Sequence, residues 1–135
     1  MKTKINTKLL TAFFLMALSV SLLVPSSVKA QEKEQAKVQV YYFHLTTRCA
    51  TCRAIESEAK QDVKELFGEE VSFAAYNLDD AAGEAKGKEL GVNSQSLIAV
   101  KDGKKVNLTN EGFLYARTNP EKFKEVIEEK IKPLL

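Results

Sequence analysis

The chain is short of several residues that common functions require. It has two cysteines and one histidine, no acidic residue before Glu32, and no proline between Pro25 and Pro120. A closed structural zinc site takes four ligands, and two cysteines with one histidine do not supply the usual set. Covalent haem attachment needs a histidine directly after the second cysteine, where Arg53 stands. Lysines and arginines form no clustered stretch, so the electrostatic footprint of a nucleic-acid binder is missing. There is no internal repeat and no sign of a second domain.

The acid-free start is itself informative. Lys2, Lys4 and Lys8 precede an apolar run from Leu9 to Val24, broken only by Thr11, Ser19 and Ser21. "PSSVKA" then sets Val28 and Ala30 in a small-residue cleavage pattern ahead of Gln31. A membrane-spanning helix needs ~20 apolar residues, more than this run provides. Residues 1–30 therefore read as a secretory signal rather than an anchor. No cysteine lies at the cleavage point to carry a lipid. The expected mature chain, residues 31–135, holds sixteen Lys and Arg against eighteen Asp and Glu. The formal balance moves from +2 for the full chain to −2 for the mature one. Its expected place is outside the cytoplasm, periplasmic or extracellular in a bacterium, with no membrane contact after cleavage. There a cysteine pair can stay oxidised.

Residues 31–37, "QEKEQAK", are polar and charged and read as a disordered lead-in. Residues 38–135 suit one small domain with a single core. "VQVYYFHL" has the Val, Tyr and Phe content of a buried strand. From Cys49 the pattern turns helical, with Ile55, Ala59, Val63, Leu66 and Phe67 on one stripe and Gly68 as a stop. "VSFAAYNL" is a second strand. "DDAAGEAKGKELGV" reads as a short helix started by Asp79 or Asp80 and ended at Gly91, weakened by Gly83 and Gly87. "SLIAV" and "KDGKKVNL" make a hairpin turning at Asp102-Gly103. The last helix is capped by Thr118 or Asn119, has Pro120 in its first turn, and buries Phe123, Val126, Ile127 and Ile131. The order is βαβα followed by ββα. It predicts an α/β fold with a central four-stranded mixed sheet and helices on both faces.

Both cysteines lie in "RCATC", residues 48–52. Such a pair can be a redox couple, part of a soft-ion site, or an inert bridge. A bridge over so short a loop constrains the unfolded chain little. A disulfide exchanger needs an exposed thiolate and a second thiol close by. At a helix start, Cys49 would be the attacking thiol, favoured as thiolate by the helix dipole, and Cys52 the resolving thiol one turn in. Arg48 adds positive charge beside Cys49, unless it is merely a solvated loop charge. Thr51 could offer its hydroxyl to a thiolate. The alternative keeps Cys49 and Cys52 as two thiolates for Cu(I) or trivalent arsenic. Neither reading calls for a further cofactor.

A strand, a C-x-x-C opening a helix and the βαβ…ββα order together resemble the thioredoxin fold over residues 38–135. "YYFHLTTRCATC", "YNLDD…LGV" and "SLIAVKDGK" carry the resemblance. More narrowly, "YYFH-x-T-x-RC-x-TC-x-x-IE" is similar to a group of small exported thioredoxin-like proteins labelled nitroreductase-subunit ArsF-like, linked by name to arsenical resistance. The resemblance implies a thiol-disulfide oxidoreductase acting on protein thiols and disulfides, as a monomer or with a redox partner or larger complex. Two departures from the family stand out. Its cis-proline falls here on Gln95 or Ser96, where a cis bond would cost ~3 kcal/mol and a trans peptide is expected. That proline helps dock substrate backbone and discourages metals in the family. Phe43 stands where many thioredoxins carry a buried acid, and strand alternation turns His44 to the other face, as a structural residue. "NLT" at Asn107 matches a glycosylation pattern that a bacterial chain leaves idle.

Overall fold

The computed structural model describes residues 37–135. The expected signal segment, residues 1–30, and residues 31–36 of the lead-in lie outside the described residues. The elements are β1 (Val38–His44), α1 (Ala50–Phe67), β2 (Val71–Asn77), α2 (Ala81–Leu90), β3 (Ser96–Lys101), β4 (Lys104–Asn107), α3 (Thr109–Tyr115) and α4 (Pro120–Ile131), then a 3₁₀ turn at Lys132–Leu134.

Four strands form one sheet in the order β2-β1-β3-β4. β1 runs parallel to β2 and antiparallel to β3, and β4 returns antiparallel beside β3. The hairpin turns at Asp102 and Gly103, both with positive φ (50° and 79°), as the Asp-Gly pair predicts. The mixed sheet follows from the connections. A helix crossover returns β2 parallel to β1, and a two-residue turn forces β4 antiparallel.

Alternation along β1 divides the core in two. Val38, Val40 and Tyr42 face the larger cluster, with Ile55, Ala59 and Val63 of α1, Leu97 and Ala99 of β3, and Phe123, Ile127 and Ile131 of α4. Tyr41 and Phe43 point the other way, with Ile98, against Leu78 and Leu90. Helices thus cover both faces: α1, α3 and α4 on one, α2 on the other. Among the described residues no helix is long and apolar enough to cross a membrane.

Local chemistry accounts for most element ends. Asn119 caps α4, its Oδ1 accepting the Lys122 amide at 3.2 Å, with Pro120 in the first turn. Asp80 occupies the cap of α2 without a side-chain hydrogen bond, and Gly91 closes it with φ 65°. The sequence periodicity gives no sign of α3. This helix has seven residues, and Gly112 in its middle weakens any local propensity. It forms because that glycine lets it lie on α1: a Cβ there would sit 3.3 Å from two side-chain carbons of Ile55. Asp62 of α1 is a buried carboxyl, 5% exposed, with Oδ2 lacking a hydrogen-bond partner.

Candidate functional site

β1 ends at His44, and the loop after it delivers Cys49 to the N-cap of α1. Cys49 is extended (φ −76°, ψ 166°), and its Sγ accepts the Cys52 amide at 3.0 Å. An amide that a helix leaves unpaired in its first turn is therefore spent on sulfur. Cys49 is exposed and Cys52 is 6% exposed; the two form a disulfide with their Cα atoms 5.0 Å apart. The loop is pinned from the end of β2. The Thr46 amide donates to Asp79 Oδ2 at 2.7 Å, Asn77 Nδ2 to Thr46 Oγ1 at 3.0 Å, and the Leu78 amide to the His44 carbonyl at 2.8 Å. The Thr46 amide holds the Asp79 carboxyl below its ordinary range.

Beneath the pair lies Tyr42, fully buried. Its hydroxyl donates to the Cys52 carbonyl at 2.9 Å and accepts from Gln95 Nε2. Gln95 Oε1 lies 3.6 Å from Cys52 Sγ. Burial pushes the Tyr42 pKa up, against the opposing pull of the Gln95 hydrogen bond and the Arg48 charge. The Arg48 guanidinium stands 6.0 Å from the Tyr42 ring centroid and forms an ion pair with Glu56, farther along α1. Its side chain is 22% exposed; Nε has no hydrogen-bond partner, and Nη2 faces Glu56 without an aligned hydrogen bond. Arg48 is thus held against the site rather than waving in solvent.

Of the residues singled out in the sequence, Cys49, Cys52, Arg48 and Gln95 come together. Thr51 is half-buried in the first turn of α1, and no hydrogen bond ties its hydroxyl to either sulfur. Ser96 Oγ turns to the Ser94 carbonyl at 3.0 Å, so Gln95 is the loop residue that meets Cys52. No peptide bond among the described residues is cis.

One expectation is corrected. Phe43 does not occupy the position under the cysteines. It lies on the opposite sheet face, stacked on Tyr76 at 5.8 Å between centroids. α1 covers the face of Val38, Val40 and Tyr42, so Tyr42, not Phe43, lies under Cys52. Alternation groups Tyr42 with the two valines, but both faces of β1 are apolar, so it does not by itself say which face looks toward the cysteines. His44 shares that face, its ring 5.9 Å from Tyr42, with Nδ1 3.0 Å from the Leu45 carbonyl. Glu56 was also missed, although it stands one residue after Ile55 in the "IE" quoted above. Asn107 uses its Oδ1 to accept the Thr109 amide at 2.8 Å, starting α3.

The site can open and close one S–S bond with an exposed sulfur at the rim and a buried one behind it. Among the described residues, no three or more His, Cys, Asp or Glu side chains stand together as metal ligands would.

No family model and no curated protein matches the sequence. Among solved structures the chain is similar to thioredoxin O2 from Arabidopsis thaliana in the oxidized state. That match has 19% identity, covers 70% of this chain and 75% of that one, and has a TM-score of 0.50. It is likewise similar to Trxlp from Edwardsiella tarda, with 18% identity, 70% and 84% coverage, and a TM-score of 0.50. These likenesses agree with the strand order and helix placement: the chain has the thioredoxin-like fold.

Proposed function

We propose that this protein is an exported thiol-disulfide oxidoreductase working through Cys49 and Cys52 on protein thiols and disulfides. The observation that carries the reading is the asymmetry of the pair. Cys49 is exposed at a helix N-cap with an amide donated to its sulfur, and Cys52 is buried behind it. An exchange couple needs that arrangement; a bridge placed for stability does not. The export half rests on the leader-like residues 1–30.

In the reducing direction the Cys49 thiolate attacks one sulfur of a partner disulfide. A new S–S bond forms, the partner's bond breaks, and the departing partner sulfur takes up a proton. Cys52 then attacks Cys49 Sγ. The Cys49–Cys52 bond forms, the mixed disulfide breaks, and the Cys52 proton is balanced by the one taken up by the second partner sulfur. Two partner thiols are produced and the protein's dithiol becomes its disulfide. The oxidising direction is the same path reversed.

The test uses purified mature protein and a peptide of defined redox state. Reduced Cys52→Ser protein mixed with a disulfide-bonded peptide should accumulate a covalent one-to-one adduct, seen by mass spectrometry and released by dithiothreitol. Cys49→Ser should accumulate far less. Oxidised wild type should transfer its disulfide to the reduced peptide. If neither trapping nor transfer occurs, exchange is the wrong reaction. Tight, stoichiometric capture of arsenite or Cu(I) by the reduced protein in that event would assign the thiols to a soft ion.

A further inference from the structure

Hydrogen-bond bookkeeping around Tyr42 fixes the orientation of a neighbouring amide. The Cys52 carbonyl has no proton to give, so in its 2.9 Å contact with Tyr42 the phenol must be the donor. A phenol has one proton. With it committed to Cys52, the Tyr42 oxygen can only accept from Gln95, which must present its NH₂ group. The Gln95 carbonyl oxygen is then the atom left facing Cys52 Sγ, at 3.6 Å. An amide oxygen accepts a hydrogen bond from a thiol and repels a thiolate.

We infer that Gln95, locked in this orientation by Tyr42, holds Cys52 as a neutral thiol whenever the Cys49–Cys52 bond is open. The inference rests on the exchange reading only in that the bond must open during the working cycle. Burial of Cys52 acts in the same direction. Cys49 is treated in the opposite sense. Its sulfur receives an N–H, at an exposed helix N-terminus, and is favoured as thiolate. One sulfur of the pair faces a donor and the other an acceptor.

Of the charged and titratable groups around Cys52, no carboxylate or imidazole among the described residues hydrogen-bonds to its sulfur, whose side-chain partner is Gln95. From β1 come Tyr42, whose proton is committed, and His44, whose ring stands 5.9 Å from the Tyr42 ring with Nδ1 turned to the Leu45 carbonyl. From the preceding loop comes Arg48, and from α1 Glu56, which is paired with Arg48. The loop before β3 supplies uncharged Gln95. On α3, Glu111 is paired with Lys130 of α4. Attack by Cys49 is therefore ready at neutral pH, whereas resolution must first remove the Cys52 proton. The two halves of the cycle acquire different pH dependences, with release of the mixed disulfide accelerating as pH rises.

The experiment isolates Cys52. In Cys49→Ser protein it is the sole thiol, and serine preserves a capping acceptor for the Cys52 amide. Alkylation by iodoacetamide is followed against pH. The expected midpoint lies above the ~8.5 of a free cysteine. Adding Gln95→Ala should lower it and speed alkylation at pH 7 roughly fivefold, the factor for one hydrogen bond. Adding Tyr42→Phe should also speed it, because the freed amide can turn its NH₂ toward sulfur. If Tyr42 acts through the Gln95 amide, the Tyr42→Phe effect should vanish in the Gln95→Ala background, whereas a merely structural role of Tyr42 would persist there. Unchanged or slower alkylation in both single additions overturns the inference, as does a Tyr42→Phe effect that survives without Gln95. If Tyr42→Phe fails to fold, the Gln95→Ala result alone decides. Alkylation needs no partner protein, so this inference can fail while disulfide transfer proceeds, and transfer can fail while the titration comes out as expected.

Discussion

Gly83 of α2 lies against the backbone of Asn77: a Cβ built on it would stand 1.8 Å from the Asn77 carbonyl oxygen and 2.4 Å from its carbon. The contact joins the rear helix to the end of β2, where the Asn77 side chain holds Thr46 and so the loop that delivers Cys49. The two glycines that weaken α2 as an isolated helix are both buried. They trade helix propensity for close approach.

Gly83→Ala should therefore be severely destabilising. Overpacking a filled site costs about 1–3 kcal/mol and sometimes more; backbone against backbone belongs at the upper end. For a domain near 100 residues that lowers the thermal midpoint by roughly 10 °C or more. Calorimetry or thermal circular dichroism reads it directly. A midpoint within a degree or two of wild type would show that α2 does not press on Asn77.

Asp62 should make stability depend on acid pH. Burial raises its pKa from 3.8 to about 6, against the attraction of Lys124. A carboxyl whose folded pKa lies above its unfolded one keeps its proton longer when folded. Stability from this group is therefore greatest below about pH 4 and is lost as pH rises toward 6. Above that the full penalty applies, on the order of 2–3 kcal/mol for a shift of this size. Asp62→Asn should be more stable than wild type at pH 7.5 and nearly equal to it at pH 4. Urea unfolding at the two pH values checks this, and a variant less stable than wild type at pH 7.5 would refute it.

Arg48 and Glu56 should act on Cys49 in opposite directions. Positive charge beside the sulfur favours thiolate, and Glu56 offsets that charge through its ion pair. In reduced protein, Arg48→Ala should slow alkylation of the exposed thiol at pH 7. Glu56→Gln should speed it, each by roughly two- to fivefold, because the site is partly screened by solvent. Equal rates in all three proteins would reduce Arg48 to a packing partner of Tyr42.

Cleavage of the leader gives an independent prediction. Protein recovered from an exporting bacterial host should begin at Gln31, with or without cyclisation of that glutamine. Intact-mass analysis distinguishes the outcomes, and protein retaining Met1 would remove the export half of the proposed function.

Much of the fold was legible in the residues because its signals are local. The stripe Ile55, Ala59, Val63 specifies a helix and the face it buries. Asp102-Gly103 specifies a two-residue hairpin through the positive φ both positions adopt. Asn119 and Pro120 mark the start of α4. The spacing of Cys49 and Cys52 at a strand-to-helix junction was enough to place the pair at a helix N-cap. α3 escaped because seven residues around a glycine have no periodicity to read.

By itself, the sequence determined where the two sulfurs stand along the chain and which elements carry them. Only the tertiary structure decided what surrounds them. Tyr42 meets Cys52 across ten positions, and Gln95 meets Cys52 and Tyr42 across 43 and 53. Contacts so distant leave no local pattern. β1 is apolar on both faces, so alternation could not say which of Tyr42 and Phe43 looks toward the cysteines until α1 was laid on one side. That choice follows from which face of the sheet the crossover helix covers, and it puts a hydroxyl under Cys52 and a phenyl ring behind the sheet.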